Sequence, residues 1–193
     1  MTHILDAIDS SAWAILPEAL EQIIAIAERS NESPEVVSAK IGRPLVSARK
    51  VELRDDTAVI PVHGPIFRRA NMFTEVSGAT SIENLTNDFI QADVDNQVQR
   101  IILDIDSPGG QANGISELAA MIRNADKPVT AYVGGTGASA AYWLASAADH
   151  VVLSDTALVG SIGVVGTYRP GDKNEIKIIS SQSPLSRISS LQA

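Results

Sequence analysis

Two short glycine-rich stretches hold the residues of this chain whose types and spacing can do chemistry. In Gly135–Trp143, GTGASAAYW, one hydroxyl, Ser139, stands among residues with almost no side chain, directly ahead of two large aromatics. A serine so placed can act as a nucleophile. A peptide or acyl group would reach it past Gly134, Gly135, Gly137, Ala138, Ala140 and Ala141, and a helix starting there favours developing negative charge. The plainer reading is an N-cap, a position serine favours, with the small residues packing the helix on a sheet. In Asp106–Gly110, DSPGG, proline stiffens the turn and the paired glycines let the backbone approach a bound group with no Cβ in the way. The amides of Gly109 and Gly110 can then donate to the oxygen of a tetrahedral intermediate, where losing one donor costs about 10²–10³ in rate. The plainer reading here is a tight strand-to-helix turn with no ligand.

The patterns around both stretches decide where they sit. TAVIPVHGPI from Thr57 reads as a buried strand ending in a Gly-Pro turn, and SIENLTNDFIQAD reads as a helix with Ile82, Leu85, Phe89 and Ile90 inward. Arg100–Ile105 is a strand before DSPGG, and Ile115, Leu118, Ala119 and Ile122 mark the next helix. Val129–Val133 is a strand, GGTG a glycine turn, Ser139–Ala148 a helix, and His150–Ser154 a last strand. Strands alternating with helices imply βαβ crossovers and a mostly parallel sheet, an α/β fold. In such a sheet ligands gather at the carboxyl ends of the strands, so DSPGGQANG and GGTGAS are expected on one edge. That convergence favours the nucleophile and oxyanion readings over capping and packing. GASAA lacks a glycine two places after Ser139, so it is not the GxSxG elbow of α/β-hydrolases.

Toward the N-terminus, Leu16, Leu20, Ile23, Ile24 and Ala27 recur at helical spacing after Pro17, and SPEVVSAKIGRPL adds a second short helix ending near Gly42. Residues 1–50 are therefore expected to form a helical arm packed on a main domain of residues 51–185, with 186–193 a frayed tail.

Composition narrows the partners. With 45% apolar residues in 193, the chain can fill a real core, and 15 Lys+Arg against 23 Asp+Glu give a net charge of −8 that repels a phosphate backbone. No nucleic-acid partner is expected. Cysteine is absent, and His3, His63 and His150 lie far apart without ligand spacing, so neither a metal nor a cofactor is expected. The first thirty residues carry Asp6, Asp9, Glu18 and Glu21 and do not read as a signal peptide. No stretch approaches the roughly 18 apolar residues of a membrane span, and a cytoplasmic location is expected.

Three motifs in order, LDIDSPGG, ASAAYWLASAAD and LVGSIGVVGTY, together resemble the S49 peptidases over roughly residues 57–185. These are signal-peptide-peptidase-like serine proteases and their bacteriophage head-maturation relatives. The resemblance implies the ClpP/crotonase fold and a serine endopeptidase that forms an acyl-enzyme through Ser139, with Gly109 and Gly110 as backbone oxyanion donors. Ala140 and Ala141 stand where the family has two glycines. PVHGPI and the N-terminal arm resemble the phage or prophage branch, which implies capsid or scaffold proteins as substrates and a homo-oligomer.

The resemblance also implies a Ser-Lys dyad, in which a desolvated lysine takes the serine proton. The lysine position falls on Ser186, followed by Arg187, which stays protonated and is a poor base. Lys173 and Lys177 match no motif position, and no histidine follows His150 to build a Ser-His-Asp triad, so the general base is unknown. The chain ends at Ala193, where the family continues with a long helical portion expected to be missing here. Two alternatives remain open. One is a truncated, catalytically inactive homologue acting as a structural or assembly protein; the other, less favoured, is a crotonase-like acyl-CoA enzyme, for whose CoA phosphates the acidic chain offers no evident site.

Overall fold

The computed structural model describes residues 12–16, 18–19, 50–69, 79–168 and 176–179. In chain order the strands are Ala12–Ile15 (β1), Glu52–Arg54 (β2), Thr57–His63 (β3), Ile66–Phe67 (β4), Thr80–Ser81 (β5), Arg100–Ser107 (β6), Gly109–Gln111 (β7), Val129–Ala138 (β8), His150–Leu153 (β9), Leu158–Gly160 (β10), Val165–Tyr168 (β11) and Ile176–Ile179 (β12). The helices are Ile82–Val94 (α1), Ile115–Arg123 (α2) and Ala140–Ala145 (α3).

One sheet has the order β10-β8-β6-β3-β2, with β9 also paired to β8. Its centre is parallel, Ala58 beside Ile101 and Ile101 beside Val129, as the βαβ reading requires. Period-two alternation sends Ala58, Ile60 and Val62, then Ile101, Leu103 and Ile105, then Val129, Ala131 and Val133 to a single buried face. Leu85 and Phe89 of α1, Leu118 and Ile122 of α2 and Leu144 of α3 belong to the same core. Each such side chain contributes about 1.5–3 kcal/mol when fully buried. Ser81 caps α1 by accepting from Asn84 N at 3.3 Å, which fixes where that helix starts. The sheet's other face, with Val59, Pro61 and Ile102, is only half-buried among the described residues.

Several boundaries differ from the sequence reading. Ile90 is 42% exposed, and Ala92 takes the inward place, because the buried stripe of α1 runs 82, 85, 89, 92. GGTG is not a turn; β8 continues through it to Ala138. The helix after Ser139 stops at Ala145 rather than Ala148.

A second sheet, β12-β11-β1-β7-β4-β5, was not legible in the sequence. Its centre is β1, antiparallel to both β7 and β11. Trp13 is fully buried and meets Phe67 edge-on, ring centroids 5.9 Å apart. Of the expected arm helix, Glu18 and Ala19 are helical, whereas Leu20, Ile23, Ile24, Ala27 and the SPEVVSAKIGRPL stretch lie outside the described residues. No described helix is long and apolar enough to cross a membrane.

Candidate active site

The two glycine stretches meet, as expected, where β6 and β8 end. Ser107 pairs with Gly137 across a register shift, and Asp106 Oδ1 accepts from Thr136 N at 2.9 Å. The glycines of β8 make that fit possible. A Cβ on Gly135 would lie 2.6 Å from Asp106 Oδ1, and one on Gly137 would lie 3.0 Å from Val133 Cγ1. Ala138, Ala140 and Ala141 are themselves buried in the core. Most of the small residues around Ser139 therefore serve close packing, which corrects the reading in which they clear a path to the hydroxyl.

Ser139 itself is not explained by packing. Its backbone sits at φ 55°, ψ −112°, outside the regions open to an L-residue at low cost, and such strain is worth about 1–3 kcal/mol. Tertiary contacts impose it: Ser139 N donates to Gly160 O at 2.7 Å while Trp143 N, in the first turn of α3, donates to Ser139 O at 2.9 Å. The side chain makes no capping bond to α3, so the N-cap alternative fails. Instead Oγ donates to Gly163 O at 3.3 Å and faces a cavity of about 410 Å³. Tyr142, Trp143, Ile162 and Val164 give that cavity an apolar wall, and Ala14 of β1 lines it too.

Gly109 lies directly beside this serine. Its φ is +98°, and a Cβ there would collide with Ala14 O, reach 2.9 Å from Ala138 O and reach 3.1 Å from Ala140 N. Only glycine fits. Its amide, however, donates to Ser107 Oγ at 3.2 Å, while that hydroxyl donates to Gly64 O at 2.7 Å. Gly110 is held from both sides. A Cβ would collide with the Ile66 backbone, and Leu16 N donating to Pro108 O at 3.0 Å sets a ladder alternation in which Ala14 and Gly110 exchange hydrogen bonds.

Two groups were missed by sequence reasoning. The Ala140 amide, first in α3 and adjacent to Gly109, follows Ser139 in the chain; the signal was the serine's place at a helix start. Asp106 holds the end of β8, and nothing in DSPGG separates it from an ordinary turn aspartate. His63 closes β3 with Nε2 3.2 Å from Asp104 Oδ2, and His150 opens β9 on the surface. Lys177 stands opposite Thr167 in β12, while Lys173, Ser186 and Arg187 lie outside the described residues.

A strained serine stands at the junction of a parallel strand and a buried helix and faces an apolar cavity beside a glycine-lined backbone. The resemblance to S49 peptidases is borne out: the model of Peptidase family S49 matches residues 121–169, which include Ser139. The head-tail preconnector protein GP5 of Enterobacteria phage P21 is 40% identical over 123 residues, 63% of this chain and 25% of that protein. Capsid assembly protease C of Escherichia phage lambda is 36% identical over 120 residues, 61% of this chain and 27% of that protein. The chain thus spans about a quarter of the length of these relatives. Among solved structures, a probable enoyl-CoA hydratase from Mycobacterium smegmatis aligns with 57% of this chain and 50% of its own, at 23% identity and a TM-score of 0.45.

Proposed function

We propose that this chain is a serine endopeptidase of the S49 type, acting on capsid or scaffold proteins of a phage or prophage through an acyl-enzyme on Ser139. The observation that carries the reading is the backbone of Ser139, held in a costly conformation while its hydroxyl caps nothing and faces a cavity. The S49 match over the same residues and the name of the lambda relative, a capsid assembly protease, supply the substrate class.

Oγ attacks the scissile carbonyl carbon and gives up its proton to a base; the amine leaves with a proton, and water then hydrolyses the ester. The Ala140 amide is the oxyanion donor best supported by the geometry, since it heads α3 next to Ser139. Gly109 and Gly110, the donors implied by the family motif, complete the site once their amides turn from Ser107 Oγ and Ala14 O toward the intermediate. A fluorophosphonate probe tests the nucleophile: it should label the wild type and not Ser139→Ala, and equal labelling of both ends the reading.

Ser186, standing where the family lysine falls, favours a second reading, an inactive homologue that serves assembly. Ser186→Lys separates the two. Peptidase activity that appears only in that variant identifies the native chain as the inactive form.

A further inference from the structure

We propose that Ala12–Ile15 is a self-occupying strap, the chain's own segment filling the slot between β7 and β11 and shielding Ser139 until a substrate strand displaces it. The proposal rests on the peptidase reading of Ser139.

Three observations support it. First, β1 is antiparallel to both neighbours, Ala14 opposite Gly110 on one side and Trp13 opposite Val165 on the other, which is the geometry of strand addition. Second, Ala14 lines the same cavity as Ser139, and its carbonyl oxygen lies against Gly109, itself in contact with Ala138 and Ala140 on either side of the serine. Third, the Ala14 carbonyl takes up the Gly110 amide, a backbone donor that an incoming peptide would need.

The neighbours favour exchange over permanent closure. β7 and β11 are only three and four residues long, so few main-chain bonds hold the strap, and each is replaceable by the same bond to another peptide. Trp13 against Phe67 provides the side-chain anchor. An occupant on the same chain competes as an intramolecular ligand, so free peptides compete poorly and a substrate packed densely beside the enzyme competes well.

Hydrogen exchange on the full chain, read by mass spectrometry, tests the strap directly. Amides of residues 12–16 are expected to exchange at least about a hundredfold faster than those of β6 and β8, through local opening rather than global unfolding. Equal protection of the two groups overturns the proposal. The second arm uses a fluorescein-labelled peptide copying residues 11–16. Ala14→Pro removes the N–H that β1 gives to Gly110, and this variant is expected to bind the peptide at least about tenfold more tightly than wild type. Unchanged affinity in a folded variant also overturns the proposal, and if the variant does not fold the exchange measurement decides. Fluorophosphonate labelling distinguishes the two readings: tight peptide binding without labelling in any variant, Ser186→Lys included, refutes the peptidase and leaves the strap standing.

Discussion

Gly109 and Gly114 offer a matched pair for testing how tightly the backbone is drawn around Ser139. Their φ angles are nearly equal, +98° and +93°, so an alanine at either bears a similar left-handed cost of about 1–2 kcal/mol. Their surroundings differ. At Gly114 the new Cβ would meet only the Ile82 side chain, at 3.4 and 3.7 Å, which is ordinary contact. At Gly109 it would run into three backbone atoms, of Ala14, Ala138 and Ala140, none of which can rotate away. Overpacking against such a wall costs about 1–3 kcal/mol more. With a urea m-value of about 2 kcal/mol/M, Gly109→Ala should unfold at a midpoint lower than Gly114→Ala by about 0.5–1.5 M, the m-values being equal. The same Cβ pushes on the Ala140 amide, so fluorophosphonate labelling should fall in Gly109→Ala and persist in Gly114→Ala. Coincident midpoints with labelling intact in both would refute the close approach of β7 to Ser139.

Other perturbations probe the site and the fold. Ser139→Gly should stabilise the chain, because it releases about 1–3 kcal/mol of strain against the roughly 0.5–1 kcal/mol that glycine costs in entropy; a thermal melt that falls instead contradicts the strain. Asp106→Ala removes the acceptor of Thr136 N and should cost about 1 kcal/mol while slowing labelling of Ser139, read by urea titration and probe kinetics. Trp13→Ala should lower global stability by less than the roughly 3–5 kcal/mol of a core tryptophan, because only closure of the strap is lost; a full-sized loss would make β1 a permanent strand. Burial raises the carboxyl pKa of Asp88 in the folded state above its ordinary value. Its contribution to stability is therefore greatest below the unfolded-state pKa and is lost as pH rises through the folded one. Asp88→Asn should raise the melting temperature at pH 7, the gain vanishing below the unfolded-state pKa, where the carboxyl is protonated in both states.

What the sequence disclosed followed the range of its signals. β3, β6 and β8 were readable because Ile60, Val62, Leu103, Ile105, Val129 and Val133 alternate with less buried neighbours, a pattern contained within each strand. Ser139 and Gly109 were also readable as candidates, although the small residues near Ser139 proved to serve packing against Asp106, Val133 and the core. β1 was missed because its partners, Gly109–Gln111 and Val165–Tyr168, lie far along the chain, while the helical spacing that begins at Leu16 dominates the local pattern. The GGTG segment was misread because glycine usually breaks a strand, whereas here it lets β8 run close past Asp106. The Ala140 amide carries no side-chain signature and shows itself only once α3 is placed.

The two sheets also differ in when they can be completed. β3, β6 and β8 pair with successive strands of the same stretch of chain, so their sheet can form while synthesis is still under way. The sheet through β1 joins Ala12–Ile15 to Val165–Tyr168 and Ile176–Ile179, so its closure waits for strands more than a hundred residues further along and bears the slow kinetics of high contact order. Until then β1 can pair only with β7, so the wall it gives the Ser139 cavity is held along one edge before it is held along both.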